Sequence, residues 1–148
     1  MKSISFMIPA SVILLATLIT SCASTSGLRD IHIQKQVTIE ADAQEVFDMV
    51  RYLEQFPKWS PFLEEDPSQQ YEVKGTDGQI GAQDHWEGKE GEEQGYQEIV
   101  AIDYLKSITM QCDIQKPFEA HPTFTYSFDK VAEGIVVTQD FRLKSNRT

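Results

Sequence analysis

Residues 46–62, VFDMVRYLEQFPKWSPF, decide how the rest of the chain must be arranged. The first half is helical in its spacing. Val46, Phe47, Val50 and Leu53 recur at the interval that places them on one face. The second half crowds Phe56, Pro57, Trp59, Pro61 and Phe62 together. A proline steers the residue before it away from the α region, so the helix is expected to end by Phe56 and the aromatic segment to be irregular. Large apolar side chains on such a segment need a concave surface to pack into. The chain downstream supplies it as a run of strands with one apolar face each, which reads as a curved sheet closed at one end by this segment.

Upstream, Ile31, Ile33, Val37 and Ile39 share a parity interrupted by Lys35, while His32, Gln34, Gln36 and Thr38 take the other face. That pattern predicts a strand with one buried side. Asp42, three residues before Glu45, opens the helix as a variant of the capping box. Beyond the acidic loop at residues 64–67, the spacing predicts strands over 71–74, 81–88, 95–102, 107–114, 123–128 and 135–143. An acidic hairpin at 89–94 joins two of them, and Ala132-Glu133-Gly134 turns between the last two. The expected order is one strand, a helix, the aromatic segment and six further strands, an α+β domain occupying residues 31–148.

The N-terminus is set apart from this domain. Lys2 precedes a mainly apolar run over residues 4–19, too short to span a bilayer and laid out as a signal peptide. Ile19-Thr20-Ser21-Cys22 resembles a bacterial lipobox, which implies a signal peptide over 1–21, lipidation of Cys22 and a tether over 22–30. The alternative is an ordinary secretory signal with a chance cysteine. Ala23 stands where an Asp would favour the inner membrane, so the expected location is the bacterial cell envelope, at the outer membrane rather than the inner. With Cys22 lipidated, Cys112 has no disulfide partner. It sits in the alternating row Ile108, Met110, Cys112, Ile114 and reads as an inert core thiol.

The formal net charge of −10 argues against nucleic acid and against docking on anionic lipid through a basic patch. Membrane contact is expected through the lipid anchor alone. His32, His85 and His121 show no ligand spacing, and the hairpin acids Glu87, Glu90, Glu92 and Glu93 lack the pattern of a calcium loop. No metal and no cofactor is expected, and no nucleotide or nucleophile-elbow motif is present.

Several segments, in order, carry a resemblance: Val46-Phe47, Phe56-Pro57-Lys58-Trp59-Ser60-Pro61-Phe62, Gly81-Ala82, Trp86-Glu87-Gly88, Gln97-Glu98-Ile99 and Lys116-Pro117-Phe118-Glu119-Ala120-His121. The set resembles the SRPBCC superfamily and, within it, the bacterial polyketide cyclase/dehydrase-like proteins. The resemblance implies a helix-grip fold, a curved seven-stranded antiparallel sheet around a long C-terminal helix, with a cavity for apolar molecules. After the last strand only Ser145-Asn146-Arg147-Thr148 follow, so that long helix is expected to be missing. Ile99, Met110, Phe124, Tyr126, Val137 and Phe141 would then be partly uncovered, so the domain is expected to be truncated at its C-terminus, and either to form a homodimer through this face or to be marginally stable and bind hydrophobic dyes.

Strand parity places Asp84, Trp86, Gln97, Ile99, Met110, Cys112, Phe124, Tyr126, Gln139 and Phe141 on the concave face, with Trp59 and Phe118 near the mouth. Apolar bulk with a few polar groups is what a cavity for a small hydrophobic ligand requires. Trp59 and Trp86 are expected to share that cavity. Asp84 is the single acid in the lining and a candidate general acid/base; the alternative is a rim Asp hydrogen-bonded to Gln97 or a hydroxyl. His121 is the other catalytic candidate, against a role in capping a turn through the backbone. Two functions follow: a lipid-anchored module binding a small hydrophobic or amphipathic molecule, or a cyclase/dehydratase-like enzyme acting on a carbonyl-bearing substrate.

Overall fold

The chain crosses from one edge of its sheet to the other in a single step and then winds back strand by strand. A computed structural model describes residues 29–61 and 65–145. Residues 1–28, which hold the expected signal and Cys22, lie outside the described residues, as does Phe62. The order is β1 (Arg29–Ile39), α1 (Ala43–Arg51), a 3₁₀ helix (Leu53–Lys58), β2 (Gln70–Lys74), β3 (Gln83–Glu87), β4 (Gln94–Asp103), β5 (Ser107–Lys116), β6 (Thr123–Val131) and β7 (Gly134–Ser145). The strands form one seven-stranded sheet in the order β1-β7-β6-β5-β4-β3-β2. Every pairing is antiparallel. This is the expected open, curved α+β sheet of the helix-grip type.

Local chemistry sets the crossover. The Asp42 side chain accepts from Gln44 N at 2.8 Å and caps α1, with Glu45 in the first turn and Arg51 in the last to match the helix dipole. The aromatic segment is not irregular, as expected from its prolines, but turns into the 3₁₀ helix with Pro57 inside. Proline's fixed φ falls within the 3₁₀ range, so the ring is accommodated there. Asp77, from the β2–β3 turn, caps this second helix by accepting from Leu53 N at 2.7 Å and Glu54 N at 3.2 Å. The two helices are thereby fixed to the far edge of the sheet.

Val46, Phe47, Val50 and Leu53 are all buried, as the helical spacing demands. Phe47 meets Phe128 and Tyr104 edge to face, with ring centroids 5.2 and 5.5 Å apart. Ile99, Ile108, Met110, Tyr126, Ile135 and Val137 complete the core beneath α1. Each large side chain removed from water contributes roughly 1.5–3 kcal/mol. A register shift between Ile99 and Ala101 marks a bulge in β4, of the kind that bends a strand.

Two expectations about burial are corrected here. Ile99, Met110, Tyr126 and Val137 are not left half-covered; they are buried in one cluster with Val46, Phe47, Val50 and Leu53 of the two helices. The uncovered apolar surface lies instead on β1, where Ile33 is 48% and Val37 55% exposed and Ile31 and Ile39 are also open. The predicted buried side of this strand is therefore a solvent-facing one among the described residues. The cause is reach: α1 packs on β6 and β7 and leaves the edge strand beyond its span.

Candidate functional site

The space under α1 is an open cavity of about 580 Å³. Val46, Met49 and Val50 from α1 form its roof, Tyr126, Val137 and Gln139 its floor, and Lys35, Val37 and Ile39 of β1 its open side. Trp59 closes one end. Its indole Nε1 donates to Met49 O at 2.9 Å, so the ring is held by α1 and offers the cavity apolar surface only. Edge contacts to Phe56 at 4.8 Å and Tyr126 at 6.1 Å fix its plane. The volume lies within the range of small-molecule sites.

The floor carries the polar groups. Gln139 Nε2 donates to the Tyr126 hydroxyl at 3.0 Å. Burial pushes the Tyr126 phenol up to about 12, so it keeps its proton at neutral pH. Lys35 pairs in register with Gln139, and Gln139 with Tyr126, so the three form a polar row across β1, β7 and β6. In the sequence Lys35 is a break in the apolar alternation of β1. Its signal was the break itself, a cation on the face that the neighbouring isoleucines and valine share.

A second polar group lies deeper, under β3 and β4. Asp84 is wholly buried, and its Oδ2 accepts from Gln97 Nε2 at 2.6 Å and from the Tyr71 hydroxyl at 2.9 Å. The same Tyr71 hydroxyl lies 2.6 Å from Leu53 O. One hydroxyl proton cannot serve both acceptors at once, and protonation of Asp84 supplies the second. Burial raises the Asp84 pKa to about 6, against the lowering effect of the Gln97 and Tyr71 hydrogen bonds. Its Oδ1 is buried without a partner among the described residues. Asp84 does not line the apolar cavity, and in this arrangement its carboxyl is enclosed by Tyr71, Gln97 and the 3₁₀ helix. Tyr71 was missed in the sequence, although its parity with Val73, the partner of Asp84, places it on the same face.

The other sequence-singled residues fall in several places. Ile99, Met110 and Cys112 are core residues. Cys112 is a buried free thiol whose pKa is pushed up to about 12 by burial, with Asp84 and Asp113 adding to the shift, so it is no nucleophile at neutral pH. Phe124 and Phe141 meet edge to face at 5.1 Å, toward the Ile33 end of the sheet. Trp86 does not share the cavity of Trp59. It lies over Gly95, where a Cβ would come within 2.5 Å of its ring, and borders a smaller recess of about 360 Å³ with Tyr71 and Gln94. Phe118 is not at the mouth; it is 62% exposed in the β5–β6 connection. His121 is exposed too. Its partners are the carboxylates of Glu119 at 3.3 Å and Asp113 at 3.6 Å, in place of the expected backbone contact. Among the described residues, no three His, Cys, Asp or Glu side chains converge as a metal site would need.

Comparison with known proteins follows the fold. Residues 30–147 match the family model described as polyketide cyclase / dehydrase and lipid transport. No curated protein matches the chain. Among solved structures, protein Ms6760 from Mycobacterium smegmatis is 21% identical, with a TM-score of 0.55 over 77% of this chain and 73% of that one. Ginseng major latex-like protein 151 from Panax ginseng is 18% identical, with a TM-score of 0.57 over 82% and 83%. Truncated norcoclaurine synthase from Thalictrum flavum is 15% identical, with a TM-score of 0.57 over 80% and 78%. At these identities the likeness concerns the fold alone.

Proposed function

The chain belongs to the polyketide cyclase/dehydrase and lipid transport family, and we propose that it is a binding protein for a small hydrophobic or amphipathic molecule. The observation that carries this reading is the cavity under α1, walled by Val46, Met49, Val50, Trp59 and Val137 and floored by a short polar row. An apolar lining with few polar groups suits retention of a ligand more than its chemical conversion. The test is saturable binding of the neutral probe N-phenyl-1-naphthylamine. Met49→Trp, which fills the cavity from its half-buried roof, is expected to weaken that binding about tenfold or more while leaving the circular dichroism unchanged. Binding that Met49→Trp does not alter would place the ligand elsewhere.

The binding domain is held in the bacterial cell envelope by lipid on Cys22, at the outer membrane. Ile19-Thr20-Ser21-Cys22 supports this part of the reading. Expression in a bacterial host is expected to leave the protein in the membrane fraction, and Cys22→Ser to release it; a soluble wild type would end this part of the proposal. A second copy of the chain covers the Ile31–Ile33 end of β1 and its neighbour Phe141, the part of the sheet beyond the reach of α1.

A cyclase- or dehydratase-like enzyme is the second reading, favoured by one observation, the partnerless Oδ1 of Asp84 on a carboxyl titrating near 6. Catalysis there requires Asp84→Asn to abolish turnover of a carbonyl-bearing substrate; unchanged rates would remove the residue from any mechanism.

A further inference from the structure

The polar row on the cavity floor holds donors that the protein itself does not use. Lys35 makes no ion pair among the described residues, although it lines the cavity beside apolar Val37 and Ile39. The Tyr126 hydroxyl already accepts from Gln139, which leaves its own proton without an acceptor. Turning the Gln139 amide over only moves the surplus, because the phenol then donates and the amide N–H₂ is left over. Either way one neutral donor faces the same space as the ammonium of β1, from the neighbouring β7 when it is the Gln139 amide and from β6, one strand further, when it is the Tyr126 hydroxyl. Strands lie about 4.8 Å apart, so Gln139 is one spacing from Lys35 and Tyr126 two, a span that the long lysine side chain shortens to the reach of one small acceptor group. Lys35 is exposed, but Tyr126 is buried, and a buried hydroxyl whose proton has no acceptor is rare in folded proteins and points to a missing partner.

Resting on the binding reading above, we infer that the cavity takes an amphiphilic monocarboxylate, its head at Lys35 and the Gln139–Tyr126 pair and its hydrocarbon tail against α1 and Trp59. The charges around the cavity orient the ligand. Glu45, the other charged residue of the lining, stands exposed in the first turn of α1 and repels a carboxylate from the roof. An anionic head is thereby directed to the β1 side. The tail meets Val46, Met49 and Val50, and the indole of Trp59 has no N–H left to offer it. Lys35 is exposed at the open side, and the head of an amphiphile stays solvated there while its tail is covered. A lysine pointing inward on an edge strand also prevents that edge from pairing with another sheet, and this is the competing account of Lys35.

The experiment compares dodecanoate with dodecanol, the same chain with and without the charge, on the full chain held in phosphatidylcholine nanodiscs. Tryptophan fluorescence is read against empty nanodiscs. Dodecanoate is expected to bind about tenfold more tightly than dodecanol, the scale of one charge-assisted hydrogen bond. Lys35→Met is expected to erase that difference, with an unchanged circular dichroism spectrum showing that the variant is folded. Lys35→Arg is expected to retain it. Equal, saturable binding of both probes, unaffected by Lys35→Met, overturns the inference and leaves Lys35 as an edge-protecting charge, with the binding reading intact. Absence of saturable binding by either probe overturns the binding reading and the inference together.

Discussion

The two sides of the concave face are built from the same alternating pattern and end up in different environments. Toward β4, β5 and β6, Ile99, Met110, Ile108 and Tyr126 are buried in one cluster with Val46, Phe47, Val50 and Leu53. Toward β1, Ile31, Ile33, Val37 and Ile39 repeat the alternation and remain open. Alternation states which side chains share a face. Whether anything covers that face depends on the crossover element, whose length and exit angle decide how many strands it reaches. Here α1 is nine residues long, enough to roof β6 and part of β7 and to leave the cavity between itself and β1. The boundary between the covered and uncovered parts is where the candidate site lies.

Substitutions on the two sides should separate this account from one in which the whole face is equally buried. Phe47→Ala on the covered side removes the ring packed on Phe128 and Tyr104, and should destabilise the fold by about 3–5 kcal/mol in urea denaturation. A loss below about 1 kcal/mol would mean that α1 does not carry the core.

The next effect is a pH dependence confined to the covered side. Asp84 titrates near 6 in the folded protein and near 4 when unfolded. The folded state therefore holds a proton that the unfolded chain has lost between those values. The stability tied to this group is fully present below about pH 4, falls as pH rises to about 6 and is flat beyond, a drop of about 2–3 kcal/mol. Subtracting the stability profile of Asp84→Asn from that of the wild type isolates this slope from the other carboxylates. A difference that stays constant from pH 4 to 7 would place Asp84 in contact with water.

The smallest effect belongs to the open side. Ile33→Ser should change monomer stability by less than about 1 kcal/mol, because the side chain already faces solvent. It should also lower self-association in sedimentation at fixed protein concentration. Destabilisation on the scale of Phe47→Ala would mean that β1 is covered.

Much of this was legible in the residues. Val46, Phe47, Val50 and Leu53 fall on one helical face, and the order of the seven strands follows from their alternation and turns. Asp84 and Gln97 share a parity that their hydrogen bond confirms. What stayed hidden depended on contacts distant in sequence. Trp86 shares the parity of Asp84, but the absence of a side chain at Gly95 lets its ring lie flat across β4, away from the cavity. Phe118 is aromatic within a proline-bounded connection, where no period assigns it a face. Lys35 looked like noise in an apolar row because its significance comes from Gln139, more than a hundred residues away and its partner in register.

The most direct test uses the indole held by α1. In a Trp86→Phe background, Trp59 is the one remaining tryptophan of the chain. Titration with a neutral apolar probe such as dodecanol should shift its emission to shorter wavelength in a saturable way, with the change lost in Met49→Trp as judged by competition with N-phenyl-1-naphthylamine. Emission that stays unchanged while the protein remains folded would contradict the claim that the space between α1 and β1 is a binding site.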